Sequence, residues 1–413
     1  MFVKTQYVLW SADPTETTDI AHWCQADLIM RDYEVYTSAA VSIIVLYSIA
    51  SIARQYARLK HIRGPSSAVF TKWWLVRALR SGRVHLEFYE AYQKYGKFGT
   101  HAASEGQQTS NIAGSLVRVG PRDLITSDPD LMKHMLGVRT KYRRSDWYDA
   151  MRLDPGRDNV LSMRDEALHA QLRSRMAAGC SGKEVENLEG KVDENILRLI
   201  DLVDRYVSEN KAFDFGLKAQ YFTLDVISDL TFGEPFGDVA SDSDVHEYIR
   251  TSEQNMPNVV LAAVLPWLLA LLSSPLLRCL LPSDKDAIGF GKTIGLAGSD
   301  TTATAIRAML LHIITSPRVS TALREEIELA KPSWPVITEA EARSMPYLQA
   351  VIKEGLRIFP PLVGQMSKEV PKGGDTFKGS HLPEGTRIGY GAWAIFHRTD
   401  LWGPDTHEFR PER

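Results

Sequence analysis

The run Gly295-Leu296-Ala297-Gly298-Ser299-Asp300-Thr301-Thr302-Ala303-Thr304 flows into Ala305-Ile306-Arg307-Ala308-Met309-Leu310-Leu311-His312-Ile313-Ile314, and Pro317 follows. Apolar residues at 306, 309, 310, 313 and 314 keep a helical period. Proline disfavours the α region in the residue before it, so the helix should stop at about Ser316. The front of this helix is unusual for a plain core helix. Ala297 and Gly298 are small enough for a flat ligand to lie against the backbone. The Thr301 hydroxyl can turn onto the carbonyl of Ala297 and loosen the ladder. A bent helix carrying a hydroxyl and a carboxylate, Thr301 and Asp300, can pass protons to something bound there. The same residues also suit a buried helix with a Ser/Thr-rich first turn and Asp300 near its N-terminus. The rest of the chain has to decide between the two.

Composition narrows the field. The chain has 413 residues, 44% apolar and 24% charged, enough for one large core or two average ones. Its formal net charge is -3, with no basic stripe interleaved with aromatics, so nucleic acid is not an expected partner. Cys24, Cys180 and Cys279 are scattered and odd in number, which supports neither a disulfide framework nor a CxxC metal site. No metal-ligating cluster is expected. Reduced thiols fit a cytosol-facing domain.

Residues 1–34 are polar and mixed, without a basic leader, so a cleavable signal is not expected and the segment reads as non-cytosolic. Val35 to Ala53 carries no charge and is just long enough to span a bilayer. Arg54, Arg58, Lys60 and Arg63 follow it, whereas Asp27, Asp32 and Glu34 precede it. That bias puts the C-terminal side in the cytoplasm. The expected organisation is an anchor over 35–53, a basic linker over 54–63 and one large domain over 64–413. A buried amphipathic helix is the competing reading of 35–53.

Helices are expected over Trp73–Tyr95, Met163–Met176, Asn187–Val207, Gln220–Leu230 and Met345–Phe359. In the second of these, Leu168, Leu172 and Met176 form one stripe. His169 and Arg173 lie four apart on a neighbouring face, where both can reach one anion; a solvated polar face is the plainer reading. Gly96 to Gly114 is a long polar loop. Met256 to Leu277 is the most apolar window, but Pro257, Pro266 and Pro275 point to a buried or membrane-dipping helix pair rather than one straight span. Gly289-Phe290-Gly291-Lys292-Thr293 looks like a phosphate loop, but its first glycine would fall at Asp286, which rejects nucleotide binding. Glu354 and Arg357 sit three apart on one helix face among Leu348, Val351 and Ile352, and Pro360-Pro361 ends the helix. That setting suggests a buried pair, which needs a further partner to be worth keeping. Arg413 is the downstream candidate. From Gly373 onward strands and turns take over, with a strand expected over Arg387–Phe396.

Together, AGSDTT (297–302), EGLR (354–357) and FRPER (409–413), in that order and spacing, resemble the cytochrome P450 haem-thiolate monooxygenases. The wording around MAAGCSGKE and AGSDTTATAIRAMLLHIITSP is similar to fungal microsomal members of the pisatin-demethylase-like kind, associated with secondary metabolism. The resemblance implies a mainly α fold with a small β subdomain. It implies Asp300 and Thr301 as the proton-relaying pair, and Ala297 and Gly298 against the haem face. His169, Arg173 and Lys368 would be propionate partners, and Glu354, Arg357 and Arg413 a buried structural triad. It further implies haem as cofactor, O2 and a small apolar substrate, and hydroxylation or demethylation of that substrate. Electrons would come from an NADPH-cytochrome P450 reductase, at the endoplasmic reticulum membrane with the catalytic domain facing the cytosol.

The family's iron ligand is a cysteine beyond FRPER, and none of the three cysteines has that context. A thiolate ligand favours O–O cleavage. The stretch between the apolar window and AGSDTT is also short for the family. The sequence therefore reads as an incomplete P450 fold, gapped before the central helix and ending before the ligand cysteine. Two outcomes are expected: a working monooxygenase, or a catalytically dead, membrane-anchored fragment from a mis-spliced or mispredicted gene. An unrelated hydrolase using Asp300 gains nothing, since neither GxSxG nor HExxH is present.

Overall fold

A computed structural model describes residues 14–96, 115–152, 157–180, 182, 185–272 and 298–413, with the backbone path alone for 14–35. The chain divides into two units, Met1–Arg58 and Leu59–Arg413. The first is the helix α1 (Pro14–Leu59). Within it Tyr36–Leu59 is long and apolar enough to cross a membrane, with mean hydropathy 1.7. The helix does not end with the uncharged stretch. It runs on through Arg54 and Arg58, whose long aliphatic stems extend an apolar helix without burying the charge.

The second unit is mostly helical with a small sheet. Trp73–Tyr95, expected as one helix, is two: α2 (Trp73–Arg80) and α3 (Val84–Tyr95). Gly82 between them adopts φ +69, a left-handed turn that glycine makes without steric cost. Strands β1 (Leu116–Arg118) and β2 (Asp123–Thr126) form an antiparallel pair. Helix α4 (Pro129–Leu136) starts where Asp128 accepts the N–H groups of Asp130 and Leu131. Strand β3 (Arg143–Arg144) follows. Then come α5 (Glu166–Cys180), α6 (Leu188–Ser208), α7 (Phe215–Phe232), α8 (Tyr248–Val264) and α9 (Pro266–Leu272). Helix α8 passes through Pro257, so the break in the apolar window falls at Leu265-Pro266 instead.

The central helix α10 (Gly298–Thr315) ends just short of Pro317, where α11 (Pro317–Ala330) begins. It packs against α7 and α12 (Pro346–Ile358). Gly355 of α12 is what lets α12 and α10 meet: a Cβ there would lie 2.3 Å from Met309 Cγ.

Strand β4 (Lys368–Glu369) precedes a two-stranded hairpin of β5 (Asp375–Phe377) and β6 (Ser380–Leu382). Strand β7 (Arg387–Tyr390) stops at Gly391, and Ala392–Phe396 forms the helix α13. The strand expected to reach Phe396 is thus half helix. The five-stranded sheet runs β1-β2-β7-β4-β3, and β2 and β7 pair in parallel from Asp123↔Arg387 to Thr126↔Tyr390. One hydrophobic cluster joins α2, α3, the sheet and the end of α8 (Leu75, Phe88, Ile125, Val264). A second lies under α4 and includes Leu59, Ile62, Leu131, Met135 and Tyr142. Among the described residues the fold is mainly α with a small β subdomain, as the sequence implies.

Candidate active site

Three groups of residues carry the chemistry. The first is at the front of α10. Asp300 is half-buried, and its Oδ1 accepts Gln220 Nε2 at 2.9 Å and Ser299 Oγ at 3.4 Å. Burial pushes its carboxyl above the usual range, against the lowering effect of those hydrogen bonds. Gln220 comes from α7, so the α7–α10 packing is what orients the acid. Thr301 Oγ1 donates to the carbonyl of Gly298 at 3.4 Å, three residues back, while Thr302 Oγ1 donates to the same oxygen, one turn back, at 2.8 Å. The acceptor expected for Thr301, the Ala297 carbonyl, lies outside the described residues. Gly298 has open space where a Cβ would project.

The second group is cationic. His169 of α5 is 8% exposed, and its Nε2 receives Arg144 Nη2 at 3.0 Å. Arginine only donates, so Nε2 is the acceptor and the ring proton sits on Nδ1. Burial, and then the Arg144 charge, hold this imidazole below its usual pKa. Arg144 stands opposite Lys368 in the β3–β4 register. Lys368 is half-buried, and burial lowers its pKa; among the described residues its ammonium pairs with Glu166, at 3.5 Å. Arg144 Nη1 is buried without a hydrogen-bond partner, and the nearest acid oxygen, on Glu166, is 3.7 Å away. A buried guanidinium nitrogen with nothing to donate to is a vacancy for an anion.

On α5 His169 is buried and Arg173 is exposed, and the Arg173 charge bears on the His169 ring. The apolar stripe of α5 also faces outward: Leu168 and Met176 are exposed while His169 points in. Arg144 was missed from the sequence. Its only signal was the pair Arg143-Arg144 just before Ser145, which reads as surface charge until β3 is paired with β4.

The third group is buried ion pairing. Glu354 and Arg357 are 4% and 3% exposed. Arg357 donates Nε to Glu354 Oε2 at 2.6 Å and Nη2 to Oε1 at 2.8 Å. Its Nη1 donates to the carbonyls of Phe396 at 2.7 Å and Thr406 at 2.8 Å. Glu354 Oε1 also accepts Arg410 N at 2.9 Å and Arg413 Nε at 3.3 Å. Burial works against the charged form, but the bonds from Arg357 and the Arg410 N–H prevail and hold Glu354 below the usual carboxylate range. Arg413 also reaches Asp405 and the Trp402 carbonyl. Beside the trio, His312 of α10 stacks on Phe409, centroids 4.8 Å apart and planes 6° apart. The trio therefore meets and faces the interior, with Glu354 and Arg357 on a helix packed against α10. No hydrogen bond or ion pair joins it to the cationic group among the described residues.

Of the cysteines, Cys279 lies outside the described residues, and Cys24 and Cys180 are described by backbone alone. The polar loop 97–114 and the glycine-rich stretch 289–295 lie outside as well. No group of three metal-ligating side chains occurs among the described residues.

The Cytochrome P450 family model matches residues 72–288 and 281–413, and the chain belongs to that family. It is 35% identical to the cytochrome P450 monooxygenase ABA1 of Pyricularia oryzae, over 92% of this chain and 82% of that one. It is 26% identical to the pisatin demethylase of Fusarium vanettenii, over 87% and 75%. A solved cytochrome P450, CYP102L1, superposes with TM-score 0.57 at 19% identity, over 72% of this chain and 75% of that one, which speaks for the fold alone.

Proposed function

We propose that the protein is a haem-dependent monooxygenase that inserts one oxygen atom of O2 into a small apolar molecule, by hydroxylation or oxidative demethylation. Its electrons would come from an NADPH-cytochrome P450 reductase. The observation that carries this reading is the buried Arg144 Nη1, which makes no hydrogen bond, beside Lys368 and His169. Two haem propionates need this kind of donor set: a fork that matches a carboxylate, a half-buried ammonium and an imidazole N–H. Arg173 is left as an outer positive charge on the same helix. When bound, haem supplies the activation of dioxygen and the oxidising power that no side chain has.

The chain's own residues orient, exclude water and handle protons. Both hydrogen bonds to Asp300 end on Oδ1, so Oδ2 is the oxygen placed to take up and release a proton. Its raised pKa brings it closer to the working pH, where a general acid is most effective. Thr301 Oγ1 is the neighbouring hydroxyl through which that proton would pass. Gly298 leaves room above the helix for a flat ring. Glu354, Arg357 and Arg413 touch none of these atoms; they fix α12 and the segment around Phe409 that together back α10. The name pisatin demethylase, borne by one relative, supports demethylation as one chemistry within this class.

The helix Tyr36–Leu59, with Arg54 and Arg58 at its C-terminal end, supports an anchor that leaves the catalytic unit in the cytosol. The endoplasmic reticulum membrane is the compartment this reading assigns.

The test is a reduced carbon monoxide difference spectrum of the full chain expressed with its membrane. Haem uptake, seen as a Soret band, is the expected result; a chain that takes up no haem overturns the proposal. Asp300→Asn should keep the band and lower turnover about 10²-fold or more.

A further inference from the structure

Two concave pockets on the second unit are lined by neither α10 nor α12. One, of about 420 Å³, sets Arg77 and Lys94 against Glu87 and Glu90, so its charges cancel. The other, of about 550 Å³, lies between the end of α4, the loop from Gly137 to Tyr142, and the start of the β5–β6 hairpin. Its wall carries Lys133, Arg139, Lys141 and Lys372 against one carboxylate, Asp375. None of those four cations forms an ion pair among the described residues. Asp375 is already committed: its Oδ2 accepts His134 Nε2 at 2.8 Å and Tyr142 Oη at 2.9 Å.

Backbone strain falls in the same place. Arg139 adopts φ +67, a left-handed conformation that a long side chain rarely takes. The neighbouring Val138 is 96% exposed, so no local packing explains that conformation. Strain of this kind gathers where a loop presents side chains to a ligand. The cavity is of small-ligand size. The hydrophobic cluster holding Tyr142 also takes in Leu59, the last residue of α1.

We propose that this cavity binds a group carrying two or more phosphate charges. Four cations against one carboxylate exceed what a single-charge anion would balance, and lysine and arginine suit phosphate oxygens. The group could be a soluble polyphosphorylated molecule or the headgroup of a phosphorylated lipid.

The full chain, held in nanodiscs of neutral phosphatidylcholine, is titrated by calorimetry with pyrophosphate and with inositol trisphosphate. In parallel, a photoactivatable phosphatidylinositol bisphosphate is built into the discs, and its crosslinks are mapped by mass spectrometry. Saturable binding of either soluble probe, or crosslinks within residues 133–142, supports the site, and which arm responds identifies the source. Arg139→Glu with Lys141→Glu should weaken binding or crosslinking at least tenfold, as should Lys372→Glu alone on the opposite wall. Arg80→Glu, far along the chain and outside the pocket lining, should change neither. All three sets of changes lie at exposed positions, and an unchanged thermal melt verifies that each variant is folded. Absence of a saturable response in both arms, or a response that the pocket variants leave intact, overturns the proposal.

Discussion

Arg357 grips Glu354 with both prongs of its guanidinium, at 2.6 and 2.8 Å, and sends its remaining nitrogen to the carbonyls of Phe396 and Thr406. The pair is therefore a rivet between α12 and the segment that follows β7. Desolvating two charges is expensive, and the cost is offset only because the lone pairs and protons find partners. Glu354→Ala leaves the guanidinium buried without its acid and should destabilise the second unit by about 3–5 kcal/mol. Arg357→Lys should not rescue it, because an ammonium cannot make the two-pronged contact. Thermal denaturation of the single variants reads both effects.

Gly355 tests the packing of the central helix directly. A methyl group at this position would enter the space of Met309. Gly355→Ala should cost about 1–3 kcal/mol through overpacking. Combining it with Met309→Ala should recover part of that loss, a coupling that a double-mutant cycle measures. Strict additivity would mean that α10 and α12 do not meet at these residues.

Asp238 should dominate one stretch of the stability–pH profile. It is fully buried, with Oδ1 accepting the Val245 N–H and Oδ2 partnerless. Burial first, and then Asp225 and Asp244, raise its pKa to about 6. The folded state thus holds this proton more tightly than the unfolded chain. The stabilisation is complete below about pH 4 and is lost as pH rises through about 6. The shift corresponds to up to about 3 kcal/mol. Asp238→Asn should abolish that part of the pH dependence and leave the protein at least as stable at pH 7. The comparison must be made against wild type at each pH, because Glu354 and Asp375, whose pKa values are depressed, contribute with the opposite sign. Equal slopes for the two proteins between pH 4 and 6 would remove Asp238 from the explanation.

Arg144→Gln should loosen haem without unfolding the protein. Arg144 donates to His169 at 3.0 Å, pairs with Glu166 at 3.7 Å and lies 5.7 Å from the centre of the Tyr148 ring. Glutamine keeps a donor for His169, and an unchanged thermal melt verifies that the variant is folded. The rate of haem transfer to apomyoglobin should rise about tenfold, the value of one charge-assisted hydrogen bond of about 1.5 kcal/mol. A variant that keeps haem as firmly as wild type would remove Arg144 from the cradle.

Much of this was legible in the sequence because the informative spacing was local. Glu354 and Arg357 are one helical turn apart, and apolar neighbours at 348, 351 and 352 announced their burial. Helix ends at Pro317 and Pro360 followed from the same stereochemistry that the structure displays. What stayed hidden depended on pairing across the chain. Arg144 reaches Lys368 only through β3–β4, a contact no local pattern encodes. The sidedness of α5 also stayed hidden. A stripe of Leu168, Leu172 and Met176 does not say which face is buried, and it is His169 that is enclosed while Leu168 and Met176 are exposed. In β7 the alternation continued past Gly391, yet that residue's backbone starts α13. Thr301 and Thr302 compete for one carbonyl, and adjacent threonines give no clue as to which wins.

The parallel seam between β2 and β7 has a consequence for how the polypeptide is made. Asp123 and Arg387, which begin that seam, are 264 positions apart. At about 5–20 residues per second, a ribosome needs roughly 10–50 s to deliver the second strand after the first. Throughout that interval Leu124 and Ile125, fully enclosed in the finished protein, have no sheet partner on their β7 side. The nascent chain is thus a customer for holding chaperones until β7 emerges.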